Sequence, residues 1–124
     1  HNPVVLMENV YDKLSLTYLE KTGTLVGLFP DNRWEAHTLP LHQGAVLVLY
    51  TDGITEAQNE TEEFFGSERL IDALNEGFDP SAEVFQENIL DNVNDFMQET
   101  PRLDDITLVI ISRKIEQNEK EKDK

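Results

Sequence analysis

Two stretches of the chain are the most apolar, "AVLVLY" at 45–50 and "ITLVII" at 106–111, and the rest of the pattern can be arranged around them. Runs of this length, rich in leucine and β-branched residues, predict strands in a sheet covered on both faces. Ahead of them, "VVLME" at 4–8 and "LSLTYLE" at 14–20 flank a polar "NVYDK", which is the pattern of a β-hairpin. "WEAHTLPL" at 34–41 alternates large and polar positions and predicts a strand with one wet face. Gln43 and Gly44 then predict a β-turn leading into the strand at 45–50. In "KTGTLVGLFPDN", Gly23, Gly27 and Pro30 break any regular period, so this segment reads as an irregular loop anchored by Leu25, Val26, Leu28 and Phe29.

The helical signals come late. After a polar loop, "GSERLIDALNEG" carries Ser67 as a capping residue, apolar Leu70, Ile71 and Leu74, and a terminating Gly77, which predicts a short amphipathic helix. In "DPSAEVFQENILDNVNDFMQET" the residues Phe85, Ile89, Val93, Phe96 and Met97 form one stripe of a longer helix, with Asp79 or Ser81 as its cap and Pro80 and Pro101 as brackets. That stripe is most simply core. If left uncovered, it would be a face for homodimer formation. "LDDITLVIISR" predicts a closing buried strand, and Arg113 to Lys124, with five bases, four acids and one apolar residue, predicts a frayed or disordered charged tail after a domain at 1–113. About five strands followed by two grouped helices indicate an α+β fold, with antiparallel sheets and helices on an outer face.

Composition narrows the choice of partner. At 124 residues the chain has the size of one domain or part of one, and 39% hydrophobic residues are enough for a core. Against 25 acidic side chains stand 10 basic ones, a net charge of −15, so nucleic acid and anionic membrane surfaces are repelled while divalent cations and basic surfaces are attracted. No cysteine is present, which excludes disulfides and thiolate metal sites and suits a reducing cytoplasm. Neither apolar run approaches the roughly 20 residues of a membrane span. The N-terminal "HNPVVLMEN" has no signal-peptide pattern and reads as a cut end within a larger protein.

The candidate chemistry sits at the ends of the two apolar strands. Asp52 follows "AVLVLYT", and Asp104 with Asp105 precedes "ITLVII". If these strands are antiparallel neighbours, the end of one and the start of the other share one sheet edge and the carboxylates converge. Like charges that close in partly dry surroundings call for a compensating cation. Oxygen donors without Cys or a paired-His motif favour a hard ion, Mg²⁺ or Mn²⁺. Gly53, with no side chain, would let backbone and water approach such an ion. Asp-Gly after a strand is also an ordinary turn and Asp-Asp before one an ordinary cap, so these dipeptides leave both readings open.

The motif set goes further. "HNP" before a strand, "TGTLVGLF", "LPLHQGAVLVLYTDGITEAQN", "FGSERL" and "DDITLVII" resemble, in order and spacing, the bacterial metal-dependent type-2C serine/threonine phosphatases. Within them the match is to the branch holding the stage II sporulation protein E phosphatase and the stress-response sigma-factor regulators, and it covers the chain up to about Arg113. The resemblance implies a PP2C-like β-sandwich flanked by helices, with a two-metal Mn²⁺ or Mg²⁺ centre at one end. It implies hydrolysis of phosphoserine or phosphothreonine by metal-activated water, on a small regulatory protein of the anti-anti-sigma type, under an upstream sensor or receiver domain. Carried over by motif, Asp52 and Asp104 are metal ligands, while Asp105 stands where the family often has Asn and supports the loop. The family's bridging Asp-Gly motif lies upstream of "HNP" and is missing here, so the resemblance implies a C-terminal half, inactive by itself. The alternative is a non-catalytic scaffold that keeps the fold and at most one cation site.

The remaining residues have blander readings. Glu56 orients the loop after Asp52 or is simply solvated, and Thr51 and Thr55 hydrogen-bond within that loop. His1 is structural, and His37 and His42 lie at the surface without a carboxylate partner. Trp34, Phe29 and Phe65 are core or loop anchors.

Overall fold

Val46–Tyr50 (β3) is the middle of the molecule, and its neighbours follow from the register of its hydrogen bonds. The computed structural model describes residues 2–19, 38–101 and 104–116. Val4–Val10 (β1) and Lys13–Leu19 (β2) form the expected hairpin. Its two-residue turn, Tyr11 and Asp12, has φ of 50° and 62°, the left-handed pair that matches the twist of the flanking strands. β1 and Leu108–Ser112 (β4) pair antiparallel with β3 on its two sides, giving one four-stranded sheet in the order β2-β1-β3-β4. His42, Gln43, Gly44 and Ala45 form the expected turn, closed by the Ala45 N–H donating to the His42 carbonyl at 3.0 Å, with Gly44 at φ 82°.

Three helices follow β3 in sequence: Asp52–Thr55 (α1), Gly66–Gly77 (α2) and Ala82–Met97 (α3). The four-residue α1 replaces the loop expected after the strand. Ser81 caps α3 as expected, its side chain accepting from the Val84 N–H. Ser67 does not cap α2, because the helix starts two residues earlier than such a cap would allow and Phe65 occupies the cap position with no side-chain bond. Gly77 has a packing role in addition to ending α2. A Cβ there would lie 3.0 Å from the Cβ of Asn88 on α3, and the Asn88 amide donates to the Gly77 carbonyl at 2.9 Å. The two helices therefore meet at the point where α2 needs a partner for its final carbonyls.

All three helices contribute to one core against a single face of the sheet. Val5, Met7, Val46 and Val48 on the strands pack with Ile54, Phe65, Leu70, Leu74, Phe85, Ile89 and Val93, all 0–1% exposed. The stripe on α3 is thus core and not a free dimer face. Phe96 is half-buried, edge-on to Phe65 at 5.4 Å, with the Arg69 guanidinium 4.6 Å above its ring. The opposite face of the sheet carries Leu47 and Leu49 on β3 and Val109 and Ile111 on β4. Val109 and Ile111 are each 46% exposed, so β4 alternates and is not buried on both faces as its sequence suggests. The described residues contain four strands and three helices. Of the expected fifth strand, residues 34–37 lie outside the described residues and 38–41 are irregular. The loop at 21–32, with Gly23, Gly27 and Pro30, also lies outside them, as do Phe29, Trp34, His1, His37 and the tail from 117. Contacts run three residues past the boundary expected at Arg113, since the Glu116 N–H donates to the Gln43 side chain at 3.1 Å.

Candidate functional site

The antiparallel pairing of β3 with β4 decides where Asp52 and Asp104 lie. Tyr50 opposes Leu108, so the segment leaving β3 and the segment entering β4 run past each other at the same sheet edge. Thr51 straps them together: its N–H donates to the Thr107 carbonyl and its Oγ1 accepts from the Thr107 N–H, both at 3.1 Å. Gly53 lies directly against the backbone of Asp105, where a Cβ would overlap the Asp105 carbonyl oxygen. Glycine is therefore needed here for the close approach of two backbones, a different reason from open access to an ion.

Asp52 begins α1, at the end where helix N–H groups are free and a carboxylate is favoured. Its Oδ1 accepts from the Asn2 side-chain amide at 2.9 Å. The same nitrogen is 3.4 Å from the Tyr50 carbonyl. Asp104 folds back on its own chain, its Oδ1 accepting from the Asp105 N–H at 2.8 Å. Glu56 closes α1, its N–H donating to the Asp52 carbonyl at 2.8 Å, and its carboxylate is exposed. Asp105 supports the turn through its backbone, while its side chain is exposed. Beside these residues lies a cleft of about 260 Å³ lined by Gly53, Glu56, Gln58, Phe64, Met97 and Asp104. On the sheet side, burial first, then Tyr18 and Asp52, hold the Tyr50 hydroxyl above the usual phenol range.

The sequence expectation of a partly dry site is not met. Asp52 and Asp104 are both exposed, so their repulsion is screened by water and needs no cation to be tolerated. The donor set nevertheless suits a hard ion. Each aspartate has one oxygen held by an N–H and a second with no such bond among the described residues. No group of three or more His, Cys, Asp or Glu side chains able to hold an ion occurs among the described residues, so the pair is at most two ligands of a larger set. Asn2 is the residue that sequence reading passed over. No sequence signal marked it; only the observed Val5–Val48 pairing, extended backwards, brings residue 2 beside residues 50–52.

Comparisons with known proteins identify relatives of this chain. The family model described as Stage II sporulation protein E (SpoIIE) matches residues 1–114. Protein IcfG of Synechocystis sp. (strain ATCC 27184 / PCC 6803 / Kazusa) is 30% identical over 116 residues, covering 91% of this chain and 17% of that protein. The phosphoserine phosphatase RsbU of Bacillus subtilis (strain 168) is 30% identical over 97 residues, covering 78% of this chain and 28% of that protein. The solved SiaA-PP2C domain of Pseudomonas aeruginosa superposes with a TM-score of 0.61 at 25% identity, over 90% of this chain and 43% of that one. The chain therefore spans less than half the length of each of these relatives. With the antiparallel sheet, its helices and the family match over nearly its whole length, the chain belongs to the bacterial SpoIIE family of PP2C-like (PPM) phosphatases.

Proposed function

We propose that this chain forms part of a metal-dependent protein serine/threonine phosphatase and supplies two of its metal ligands, Asp52 and Asp104. The observation carrying this reading is the juxtaposition at one sheet edge: Thr51 strapped to Thr107, and Gly53 against Asp105. When bound, a pair of Mn²⁺ or Mg²⁺ ions supplies the Lewis acidity that activates water and offsets the charge of the phosphoryl oxygens. The residues of this chain hold and orient. β3 and β4 fix the separation of the two aspartates, α1 directs Asp52, and the turn at 104–105 directs Asp104. Glu56 and Asp105 support these turns. The remaining ligands, including a bridging Asp-Gly, would come from sequence preceding His1, in keeping with the small share of each relative that the chain spans. The substrate class is phosphoserine or phosphothreonine on a regulatory protein, of the anti-anti-sigma type, in a cytoplasmic sigma-factor pathway under an upstream sensor or receiver domain. That the relative RsbU is a phosphoserine phosphatase supports the first part of this. No helix among the described residues is long and apolar enough to cross a membrane.

The second reading is a non-catalytic scaffold with at most one cation site. A Mn²⁺-dependent phosphatase assay separates the two. It is run on the 124-residue chain, on the parent protein, and on parent variants Asp52→Asn and Asp104→Asn. The phosphatase reading expects activity in the parent and its loss in both variants. Full-rate hydrolysis by Asp52→Asn would sink it, and a metal-binding but inactive parent would support the scaffold.

A further inference from the structure

Asn2 holds Asp52 from outside its helix. Its Nδ2 donates to Asp52 Oδ1 at 2.9 Å and lies 3.4 Å from the Tyr50 carbonyl, so one amide group bridges the last residue of β3 and the first of α1. Asn2 itself is half-buried, while Asp52 is exposed. An exposed aspartate has a broad second side-chain torsion, and its two oxygens exchange places freely unless one is tied. The Asn2 amide ties Oδ1 and leaves Oδ2 without that bond. The chemistry of position 2 is selective. An aspartate there would set carboxylate against carboxylate, and a leucine would fill the same space and donate nothing. An amide supplies two N–H donors without adding a charge that would compete for, or repel, a cation.

We propose that Asn2 is a positioning residue that orients Asp52, so that its Oδ2 is presented to a hard divalent cation. This rests on the metal-ligand reading of Asp52 above. Hydrogen-bonding partners of ligating carboxylates typically change metal affinity by roughly 10- to 100-fold when removed.

The test uses the parent protein with Mn²⁺ alone, titrated by calorimetry and by water-proton relaxation, for the unmodified protein, Asn2→Leu, Asn2→Ala, Asp52→Ala and Asn2→Leu/Asp52→Ala. Both Asn2 variants are expected to bind Mn²⁺ roughly 10-fold or more weakly, with unchanged urea midpoints in the absence of metal. The double variant is expected to bind no more weakly than Asp52→Ala, because the two residues act as a unit. In metal-free protein, the Asn2 side-chain amide resonances are expected to move on Asp52→Ala substitution. Undiminished Mn²⁺ affinity in Asn2→Leu and Asn2→Ala, or amide resonances indifferent to Asp52, overturns the positioning role and leaves the metal reading intact. An unmodified parent protein that does not bind Mn²⁺ overturns the metal reading, and the positioning role with it.

Discussion

The two faces of the sheet are made from the same strands and come to different ends. On one, Val5, Met7, Val46 and Val48 are fully buried beneath α1, α2 and α3. On the other, the row Leu6, Leu47, Ile111 and the pair Leu49, Val109 are just as apolar, yet Val109 and Ile111 are each nearly half exposed. Strand hydrophobicity thus reports that a surface suits burial, while burial itself requires an element to lie on that surface. The helices cover only the face from which they leave the sheet. The carboxylate site lies at the rim, where α1 departs toward the covered side and the lead-in to β4 passes it.

This contrast can be broken in four places. The deepest test is Phe85→Ala, which empties a side chain that is fully buried and edge-on to Phe78, and is expected to cost about 3–5 kcal/mol by urea denaturation. A loss below about 1 kcal/mol would mean that the helices do not form the core described. Next is the rim. Gly53→Ala forces a methyl group into the Asp105 carbonyl, so a loss of about 3 kcal/mol is expected, together with weaker Mn²⁺ binding as the two turns separate. The last two form a matched pair, each swapping a methyl for a hydroxyl at nearly constant volume. Val48→Thr places that hydroxyl in the covered face and is expected to cost about 1–3 kcal/mol. Val109→Thr places it on the open face and is expected to stay within about 0.5 kcal/mol. Equal costs at the two positions would show that the second face is covered in solution, and sedimentation of both variants would reveal whether a second copy covers it.

Local chemistry was legible residue by residue. The hairpin at 4–19, the Gly44 turn, the Ser81 cap and the α3 stripe follow from side-chain period, left-handed backbone positions and a free helix N-terminus, all of which act within a few residues. The failures came where neighbours intervene. Ser67 suits a cap, but α2 begins earlier. "DGIT" looks like a loop, but its Asp52 and Ile54 carbonyls accept from the Glu56 and Ala57 N–H groups and close one helical turn. Gly53 looks permissive, but it is required by the close passage of a segment fifty residues away.

The same division runs through the site. Sequence alone determined that carboxylates terminate the two most apolar segments and, by motif, that the chain belongs with the phosphatases. Tertiary structure decided that β3 and β4 are antiparallel neighbours, that Asp52 and Asp104 stand in water at their common edge, and that Asn2 reaches across from the segment before β1 to hold one of them. The reason is one of range: propensities and turn preferences are set by adjacent residues, whereas the meeting of residues 2, 52 and 104 depends on which strands pair across about forty residues or more of sequence.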